Sequence, residues 1–511
     1  MKPRIRGALC GLIAGWLLVA GVAPAQNGIV LEQDLDANSQ GYTVIRVWGS
    51  HYEMGYAQAN LLGDYIVDAV DEIKVEAGSD YSPLRALMAV SVWQPPELED
   101  EIEDELDGMV ASLLETHPSA GIDKLDLKVI NTFGDWDYAC RSHMCWGRYV
   151  APPIQSLATR RLDFGSPAPT ASHHVLLARD PDDGSPRWVN LAWPGAVAVV
   201  TGVNEFGTLA SLHDYHSSGA DLSPWRMPRA VAARHALTLP SGSDPSTHLT
   251  QVFLALQLYE IMTGSFVNYY TPEGHGGVMT AYPYQAGPDF YHLRVPQAAW
   301  HHGEAMVTTN RQTDGTTRPV DEDFGADAYY DDESPKTLES HWDLLENLSK
   351  SLHQLSVAHR GRGDMTLWAD GRVAPPHGPN SRTPRLEWEW AALFPPPCDD
   401  GIDNDEDGFT DYPADPGCRH LNSTTETPRC QDGLDNDGKI GTDFDGGESV
   451  LGVGNGDPDG PDPQCLGKPW RNREAPSRSC GLGAELMVVL PLVWLHRRRR
   501  RALRSAVTIT S

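Results

Sequence analysis

The sequence is short of basic residues, of cysteines and of long apolar runs, and these shortages limit what the protein can be. Only 40 of 511 residues are Lys or Arg against 70 Asp or Glu, which gives a formal net charge of −30. Such a chain lacks the basic face that nucleic-acid phosphates require. Its 40% hydrophobic and 22% charged composition is typical of globular proteins and unlike that of disordered or polytopic membrane proteins. A single core stops growing at roughly 250–300 residues, so several domains are expected.

The first 25 residues have the pattern of a signal peptide. Lys2, Arg4 and Arg6 precede an apolar run, and the small residues of the segment 23–25 (Ala-Pro-Ala) suit a cleavage site. An uncleaved membrane anchor is the alternative, but the run is short and interrupted by glycine. We therefore expect an exported protein whose mature chain begins near residue 26.

Residues 471–511 have the pattern of a second processing signal. A Cys-Gly pair at Cys480 precedes the apolar stretch Leu482–Leu495, and the arginine run Arg497–Arg501 follows it. The stretch is shorter than the roughly 20 residues that span a bilayer, and the arginines would stay on the cytoplasmic side. This arrangement resembles the myxobacterial-type C-terminal sorting tail, which implies anchoring at the cell surface. A plain C-terminal membrane anchor is the alternative.

Residues 396–470 form an acidic segment made of two copies of one pattern. Each copy begins C-x-D-G-x-D-N-D and ends with Asp-Pro shortly before a cysteine, and between Cys398 and Cys465 there are 18 Asp or Glu but 3 Lys or Arg. With so few apolar residues, the segment needs another source of stability. In an exported protein that source is disulfides. The simplest of three connectivities pairs Cys398 with Cys418 and Cys430 with Cys465.

The first copy contains a candidate calcium loop. Carboxylates stand at loop positions 1, 3, 5 and 9, with Gly408 at position 6, and these are Asp403, Asp405, Asp407 and Asp411. A hard cation requires several such oxygens converging on one turn. The position-12 Glu of an EF-hand is absent, so the loop is more similar to the Asp-rich calcium repeats of surface stalks. The second copy has Lys439 in place of its third acid. A solvated acidic spacer is the alternative for both.

Residues 40–395 are left for the main folded domain. Apolar spacing predicts helices at Gly55–Val75, Leu106–Leu114 and Thr337–Leu355. It also predicts a strand at Val44–Trp48, and short apolar runs beyond Trp146 are typical of a layered antiparallel sheet. These runs are Val175–Ala178, Trp188–Ala192 and Ala196–Thr201. Helices flanking strands at both ends predict an α+β sandwich.

Within this region the only cysteines are Cys140 and Cys145. On an extended segment, two residues five apart point to opposite faces and lie roughly 16 Å apart, which is too far for a disulfide without a tight turn. We therefore favour a thiolate nucleophile at Cys140 over a disulfide between the two cysteines. Cys145 is the second choice.

Four motifs in this region carry a resemblance to a known family. They are G-S-H-Y-E-M-G-Y-A-Q at 49–58, C-R-S-H-M-C-W-G through R-R-L-D at 140–163, W-P-G through T-G-V-N-E-F-G at 193–207, and T-T-N-R at 308–311. In this order they resemble the acyl-CoA:6-aminopenicillanic-acid acyltransferase-like family of N-terminal-nucleophile hydrolases, the peptidase C45 group. The resemblance implies an αββα sandwich of two stacked sheets between helices.

The resemblance also assigns roles. Cutting the Ala139–Cys140 bond would separate residues 26–139 from residues 140–395 and leave Cys140 as a chain terminus, whose amine can act as base for its own thiol. Asp163 would hold that amine, Arg160 would position the nucleophile or the substrate carbonyl, and Asn310 would stabilise the oxyanion. Other assignments stay open, because Asp163 also suits a turn, Arg160 a surface cation and Asn310 a loop cap.

Asn204 lies in the third motif and is a candidate substrate-binding residue. An Asn followed three residues later by Gly207 is also typical turn chemistry, which is the other interpretation. The resemblance requires no cofactor for catalysis.

Three hypotheses for function follow. The first is an exported, surface-anchored hydrolase or acyltransferase that acts on linear amides of a small acyl-containing substrate through an acyl-enzyme on Cys140. The second is a phospholipase-B-like lipid hydrolase of the same fold. The third is a surface binding protein that keeps the sandwich without catalysis. Outside the cell acyl-CoA is scarce, which favours hydrolysis over CoA-dependent transfer.

Overall fold

The computed structural model describes most of the chain from residue 27 to residue 471 and divides it into two compact units. Unit 1 is Met1–Phe394 and unit 2 is Pro395–Ser511. The described residues of unit 1 are 27–35, 41–91, 96–132, 139–163, 173–214, 223, 226–239, 261–262, 265–271, 276–281, 292–294, 304–309, 325–346, 351–370 and 385–394. Those of unit 2 are 395–401, 403–404, 408–420, 423, 425–433, 441–444, 446 and 460–471. The predicted signal peptide and, apart from residue 471, the predicted sorting tail therefore lie outside the described residues.

Unit 1 begins with a strand pair and a helical layer and ends with shorter helices between strands. Its described helices are α1 (His51–Ala77), α2 (Tyr81–Met88), α3 (Pro96–Thr116), α4 (Lys124–Ile130), α5 (Arg229–Thr238), α6 (Ala326–Asp331), α7 (Leu338–Glu346) and α8 (Trp390–Leu393). Among the described residues, no helix is both long and apolar enough to cross a bilayer.

The strands of unit 1 form two sheets. Sheet A has the order β1-β2-β5-β6-β7-β8-β9-β10-β11, and sheet B has the order β12-β3-β4-β13-β14-β15. The strands are β1 (Gly28–Leu35), β2 (Gly41–Gly49), β3 (Ala139–Trp146), β4 (Ser156–Asp163), β5 (His173–Pro181), β6 (Trp188–Ala192), β7 (Thr201–Asn204), β8 (Leu209–Asp214), β9 (Ser265–Tyr270), β10 (Gly276–Ala281), β11 (His292–Arg294), β12 (Ala305–Thr309), β13 (Ser351–Gly361), β14 (Asp364–Asp370) and β15 (Arg385–Glu389). The β2–β5 pair is parallel, and the other described pairs within these sheets are antiparallel.

The two sheets face each other across an apolar layer. Val44 and Leu176 from sheet A and Leu355 and Val357 from sheet B belong to one buried cluster. A second cluster joins the outer face of sheet A to helices α1, α3, α4 and α5, and a third joins the outer face of sheet B to α6 and α7. Because strand side chains alternate between faces, each sheet buries both of its sides. Unit 1 is thus an α+β sandwich, as predicted, with helices on the outer face of each sheet.

Helices α1 and α3 touch backbone to backbone. Ser50 and Glu53 form a capping box that starts α1. At Gly55, an added methyl group would lie 1.9 Å from the carbonyl oxygen of Glu105, and at Gly108 it would lie 2.0 Å from that of Tyr52. Only glycine permits so close an approach. The first sequence motif therefore has an architectural role: its capping box starts α1, and its glycine allows α3 to pack directly against the backbone of α1.

Most local predictions for unit 1 hold, and two need correction. The predicted strand Val44–Trp48 lies in β2, and the first two predicted helices lie in α1 and α3. The helix predicted at Thr337–Leu355 is wrong in its second half, because α7 ends at Glu346 and β13 begins at Ser351. The apolar run Ala196–Thr201 is mostly a buried loop, and β7 begins only at its last residue.

Unit 2 contains the two predicted disulfides and little regular structure. They join Cys398 to Cys418 and Cys430 to Cys465, and all four cysteines are buried. A short helical turn, α9 (Asp411–Ala414), lies inside the first disulfide loop. The sulfurs therefore occupy the positions that apolar side chains fill in a larger domain.

The two copies in unit 2 also share one local structure. Asp411 and Asp443 both have positive φ, 53° and 51°. The carboxylate of Asp411 accepts hydrogen bonds from the backbone amides of residues 400–401, and that of Asp443 accepts them from residues 432–433. Each copy thus closes its loop with an aspartate, and the sequence repeat is a structural repeat.

Candidate active site

Cys140 lies at the beginning of β3, between β4 and β12 in sheet B. It lies four residues from Met144 on the same strand, so both side chains share the face of sheet B that is packed against sheet A, and Cys140 is 2% exposed. Cys145 lies on the same strand, but its side chain belongs to the cluster on the outer face of sheet B. Neither residue forms a disulfide, which agrees with the prediction from their spacing.

Arg160 of β4 holds the thiol of Cys140. Its Nη2 lies 3.1 Å from Sγ of Cys140 and donates to the carbonyl oxygen of Leu212 at 2.7 Å. The side chain is fully buried, so it is not the surface cation that the sequence left open. A guanidinium beside a sulfur stabilises the thiolate, which is the nucleophilic form.

His353 of β13 and Thr201 of β7 complete this cluster, and sequence reasoning missed both. Nε2 of His353 lies 3.1 Å from Nη1 of Arg160 and 3.2 Å from Oγ1 of Thr201. Burial, with further contributions from Arg160 and His174, holds the pKa of His353 well below 6.5. The imidazole is therefore neutral and accepts from Arg160. No local sequence signal identifies His353, since it comes from a strand almost 200 residues further along the chain.

The structure places the backbone of Asp163 beside the proposed cleavage point. In the β3–β4 register, Ala139 lies opposite Asp163 and Cys140 opposite Leu162. The side chain of Asp163 is outside the described atoms. Asn310 is itself outside the described residues, and β12 ends at Thr309, which lies opposite Arg141 of β3.

Asn204 has the contacts of a turn residue. Its Oδ1 accepts from the backbone amides of Phe206 and Thr208, both at 3.1 Å, and its Nδ2 donates to the carbonyl oxygen of Leu237 at 2.9 Å. The side chain is fully buried. These contacts stabilise the β7–β8 turn and the end of α5, which is the structural interpretation of the motif.

A buried charge cluster lies beneath the first motif. Glu105 of α3 is fully buried and pairs with Arg179 of β5 and with Arg234 of α5, whose Nη2 is 2.6 Å away. Burial alone would raise the pKa of Glu105, but the two arginines outweigh it and hold that pKa well below its usual range. Gln58 accepts from Arg179 at 3.0 Å, and Nδ1 of His51 lies 3.0 Å from Glu105. This cluster explains two polar residues of the first motif.

The loop between β6 and β7 is held from several sides. Arg179 donates to the carbonyl oxygen of Ala196, and Arg234 donates to that of Val197. Asn131 accepts from the amides of residues 197–198 and donates to the carbonyl oxygen of Gly195. Residues 195–198, which begin at the glycine of the W-P-G segment, are therefore fixed by the C-cap residue of α4 and by arginines of β5 and α5.

Cys145 has a different environment from that of Cys140. Its Sγ lies 3.1 Å from Nε2 of His341, whose ring stacks on His143 at 4.1 Å. Burial raises the pKa of the Cys145 thiol, and burial lowers the pKa of His143 to about 3. The charge of Lys336 lowers the pKa of the Cys145 thiol, but burial outweighs it, and burial also holds the pKa of His341 well below 6.5. The Cys145–His341 pair is therefore neutral, and the thiol is not activated.

The candidate calcium loop of unit 2 is partly described. Oδ2 of Asp403 accepts from the amide of Gly408 at 2.9 Å, while its Oδ1 is buried without a hydrogen-bond partner. The carboxylate of Asp411 accepts from the backbone amides of residues 400–401. Asp405 and Asp407 are outside the described residues.

Comparisons with known proteins do not assign the chain to a family. No family model and no curated protein matches it. One solved structure that matches is the Caenorhabditis elegans N-acylethanolamine-hydrolyzing acid amidase ortholog, at 14% sequence identity and a TM-score of 0.33, over 43% of this chain and 92% of that one. A similarity of this degree establishes neither a shared fold nor a shared activity.

Proposed function

We propose that unit 1 is a cysteine-type N-terminal-nucleophile hydrolase that acts on linear amides. The observation that supports this most strongly is the contact between Arg160 and Cys140 in the layer between two stacked sheets. Two further features fit it: the backbone of Asp163 lies across from the Ala139–Cys140 bond, and helices cover the outer face of each sheet.

The first step in this proposal is self-cleavage. Sγ of Cys140 attacks the carbonyl carbon of Ala139, the Ala139–Cys140 amide bond breaks, and a thioester joins the two residues. Water then hydrolyses the thioester. This leaves a carboxylate on Ala139 and a free thiol and α-amine on Cys140.

The second step repeats this chemistry on the substrate. The α-amine of Cys140, with a pKa of roughly 7.7–8.0 in model compounds, takes the thiol proton while the sulfur attacks the amide carbon. The amine then gives this proton to the leaving nitrogen, the C–N bond breaks, and an acyl-enzyme remains. Hydrolysis of the acyl-enzyme releases the carboxylic acid. Arg160 would keep the sulfur in place, and Asn310 is our proposed oxyanion donor.

Intact mass and amino-terminal sequencing of the purified full-length protein test the first step. We expect a new terminus at Cys140 that disappears in Cys140→Ala and persists in Cys145→Ala, the matched control on the same strand. A chain that stays whole in the wild type, with no labelling of Cys140 by a thiol reagent, would favour the non-catalytic binding protein.

A substrate panel tests the second step. We expect the cleaved protein to release fatty or small carboxylic acids from N-acyl amides, and Cys140→Ala to release none. Release from lysophospholipid esters but not from amides would instead favour the phospholipase-B-like alternative. Product formation that requires an added amine would identify an acyltransferase.

We also propose that the first copy in unit 2 binds calcium. The buried, unpartnered Oδ1 of Asp403 supports this, because Oδ2 of the same residue already accepts from Gly408 at loop position 6. A cation would supply the missing partner. Equilibrium dialysis at millimolar calcium should show uptake by the full-length protein and a loss of uptake in Asp403→Asn. The exposed Asp399→Asn is the control, and equal uptake by all three proteins would contradict the site.

Export and surface anchoring remain proposals that rest on residues 1–25 and 471–511. Cell fractionation tests them: we expect the protein in the envelope fraction and accessible to added protease. Removal of residues 471–511 should release it into the medium. Retention of that truncated protein in the cytoplasm would contradict export, and its retention in the envelope would contradict the C-terminal anchor.

A further inference from the structure

Three potential metal ligands from separate elements meet at the edge of the buried charge cluster. They are His51 at the beginning of α1, Glu101 of α3, and Asp183 in the turn between β5 and β6. One ligand atom from each lies within 4.8 Å of the other two. Nε2 of His51 is 3.2 Å from Oδ2 of Asp183 and 4.0 Å from Oε2 of Glu101. Ligand atoms on a zinc ion, about 2.0–2.1 Å from the metal, are separated by similar distances.

The imidazole of His51 is already oriented for this role. Nδ1 lies 3.0 Å from Oε1 of Glu105, a fully buried carboxylate that two arginines hold in place. Metal-binding histidines almost always donate their second N–H to such a carboxylate, which fixes the tautomer and directs the other nitrogen to the metal. Glu105 thus leaves Nε2 facing Glu101 and Asp183.

The charges at this place leave room for a cation. Three carboxylates, Glu101, Glu105 and Asp183, face two guanidiniums, those of Arg179 and Arg234. The three carboxylates and two guanidiniums together carry one net negative charge, and the two carboxylates that Nε2 of His51 faces are acceptors only. Asp183 lies 3.2 Å from Nε2 of His51, whereas Oε2 of Glu101 lies 4.0 Å from Nε2 and 3.5 Å from Nη2 of Arg234. A metal ion would bind both carboxylates together with the imidazole.

We propose that His51, Glu101 and Asp183 bind a divalent transition-metal ion, with zinc as the first candidate. One imidazole nitrogen with two carboxylate oxygens suits zinc better than calcium, which prefers oxygen ligands alone. Water would complete the coordination, since Asp183 is 40% exposed at its side chain. The ion would join α1 and α3 to the β5–β6 turn. If Ala139–Cys140 is cleaved, as in the proposed function, it would also connect the two resulting chains.

Zinc content and zinc titration of the full-length protein test the site. After treatment with a chelator and dialysis against micromolar zinc, the wild type should retain one more equivalent of zinc than Asp183→Asn and His51→Gln. The matched control is Asp64→Asn, because His117 and Asp64 form a surface pair 2.9 Å apart. This control should retain zinc as the wild type does.

Each outcome decides the proposal. The site does not exist if Asp183→Asn and His51→Gln retain as much zinc as the wild type, or if the wild type retains none. In that case His51 is an imidazolium that pairs with the carboxylates. Should His51→Gln fail to fold, Asp183→Asn decides, since that residue lies in an exposed turn. The same measurement on Cys140→Ala separates this result from the proposed self-cleavage, because metal retention requires no cut chain.

Discussion

Arg160 and Cys140 lie diagonally across the β3–β4 pair, and Nη2 of the arginine is 3.1 Å from Sγ of the cysteine. The register sets Arg160 opposite Ser142, so its side chain shares a face of sheet B with Cys140 two residues away. The same Nη2 donates to the carbonyl oxygen of Leu212, and Nη1 donates to Nε2 of His353. The nucleophile candidate therefore has a fixed cationic neighbour.

Replacing Arg160 by Lys should slow self-cleavage and amide hydrolysis by about 10²-fold or more. An ammonium is a single point donor, so it does not reproduce the planar set of bonds to Cys140, Leu212 and His353. Arg161→Lys is the control, since Arg161 is also buried but bonds to Leu345 and Gln354 on the opposite face. The rate at which the Cys140 terminus forms is the measurement. Equal slowing in both variants would assign Arg160 a purely structural role.

Gly55→Ala should destabilise unit 1 by several kcal/mol. The added methyl group meets the backbone oxygen of Glu105, which moves only with the whole of α3. Gly63→Ala is the matched variant in the same helix, where the nearest atoms belong to the His117 side chain, which can rotate away. It should be neutral within about 1 kcal/mol, because alanine favours helix. Urea denaturation compares the two, and similar losses would refute the close contact at Gly55.

Glu105→Gln should lower the free energy of unfolding by about 3–5 kcal/mol, because it leaves the buried Arg179 without its counter-ion and the buried Arg234 with only the more distant Glu101. Asp71→Asn, on α1, removes an exposed partner of Lys74 and should cost about 1 kcal/mol or less. If the chain is cleaved at Cys140, the first variant should also release residues 26–139 more easily in gel filtration. A loss no greater than that of the control would contradict this role for the cluster.

Stability should fall as the pH drops below about 6.5. Burial lowers the pKa of His143 and of His174 to about 3, and that of His359 to about 4, from an ordinary value of 6.5. The folded state then binds fewer protons than the unfolded state, so the stabilisation is complete above 6.5 and is lost as the pH falls towards the folded pKa values. Each histidine contributes up to about 1.4 kcal/mol per pH unit in this window.

Denaturant unfolding at about pH 7 and about pH 5 measures this slope. His174→Asn should flatten it, since this variant removes one of the groups that must be protonated on unfolding. An unchanged slope would show that His174 is solvated in the folded protein.

Local patterns were sufficient for the parts of the molecule that depend on neighbouring residues. Helical spacing located α1, and cysteine spacing located both disulfides of unit 2. The helix predicted at Thr337–Leu355 failed because the apolar residues of α7 and of β13 follow each other closely and together imitate one helical period. Periodicity alone does not show where one element ends when the next is equally buried.

The sequence by itself determined that Cys140 and Cys145 face opposite ways and that unit 2 is held by disulfides. It also identified residues 49–58 and 193–207 as motifs. Only the tertiary structure decided what those residues do. It placed Arg160 and His353 next to Cys140 and Glu105 between two arginines. It also showed that Asn204 stabilises the β7–β8 turn. The reason is physical: spacing along the chain sets the face on which a side chain points, whereas the pairing of distant strands and helices sets what it meets there.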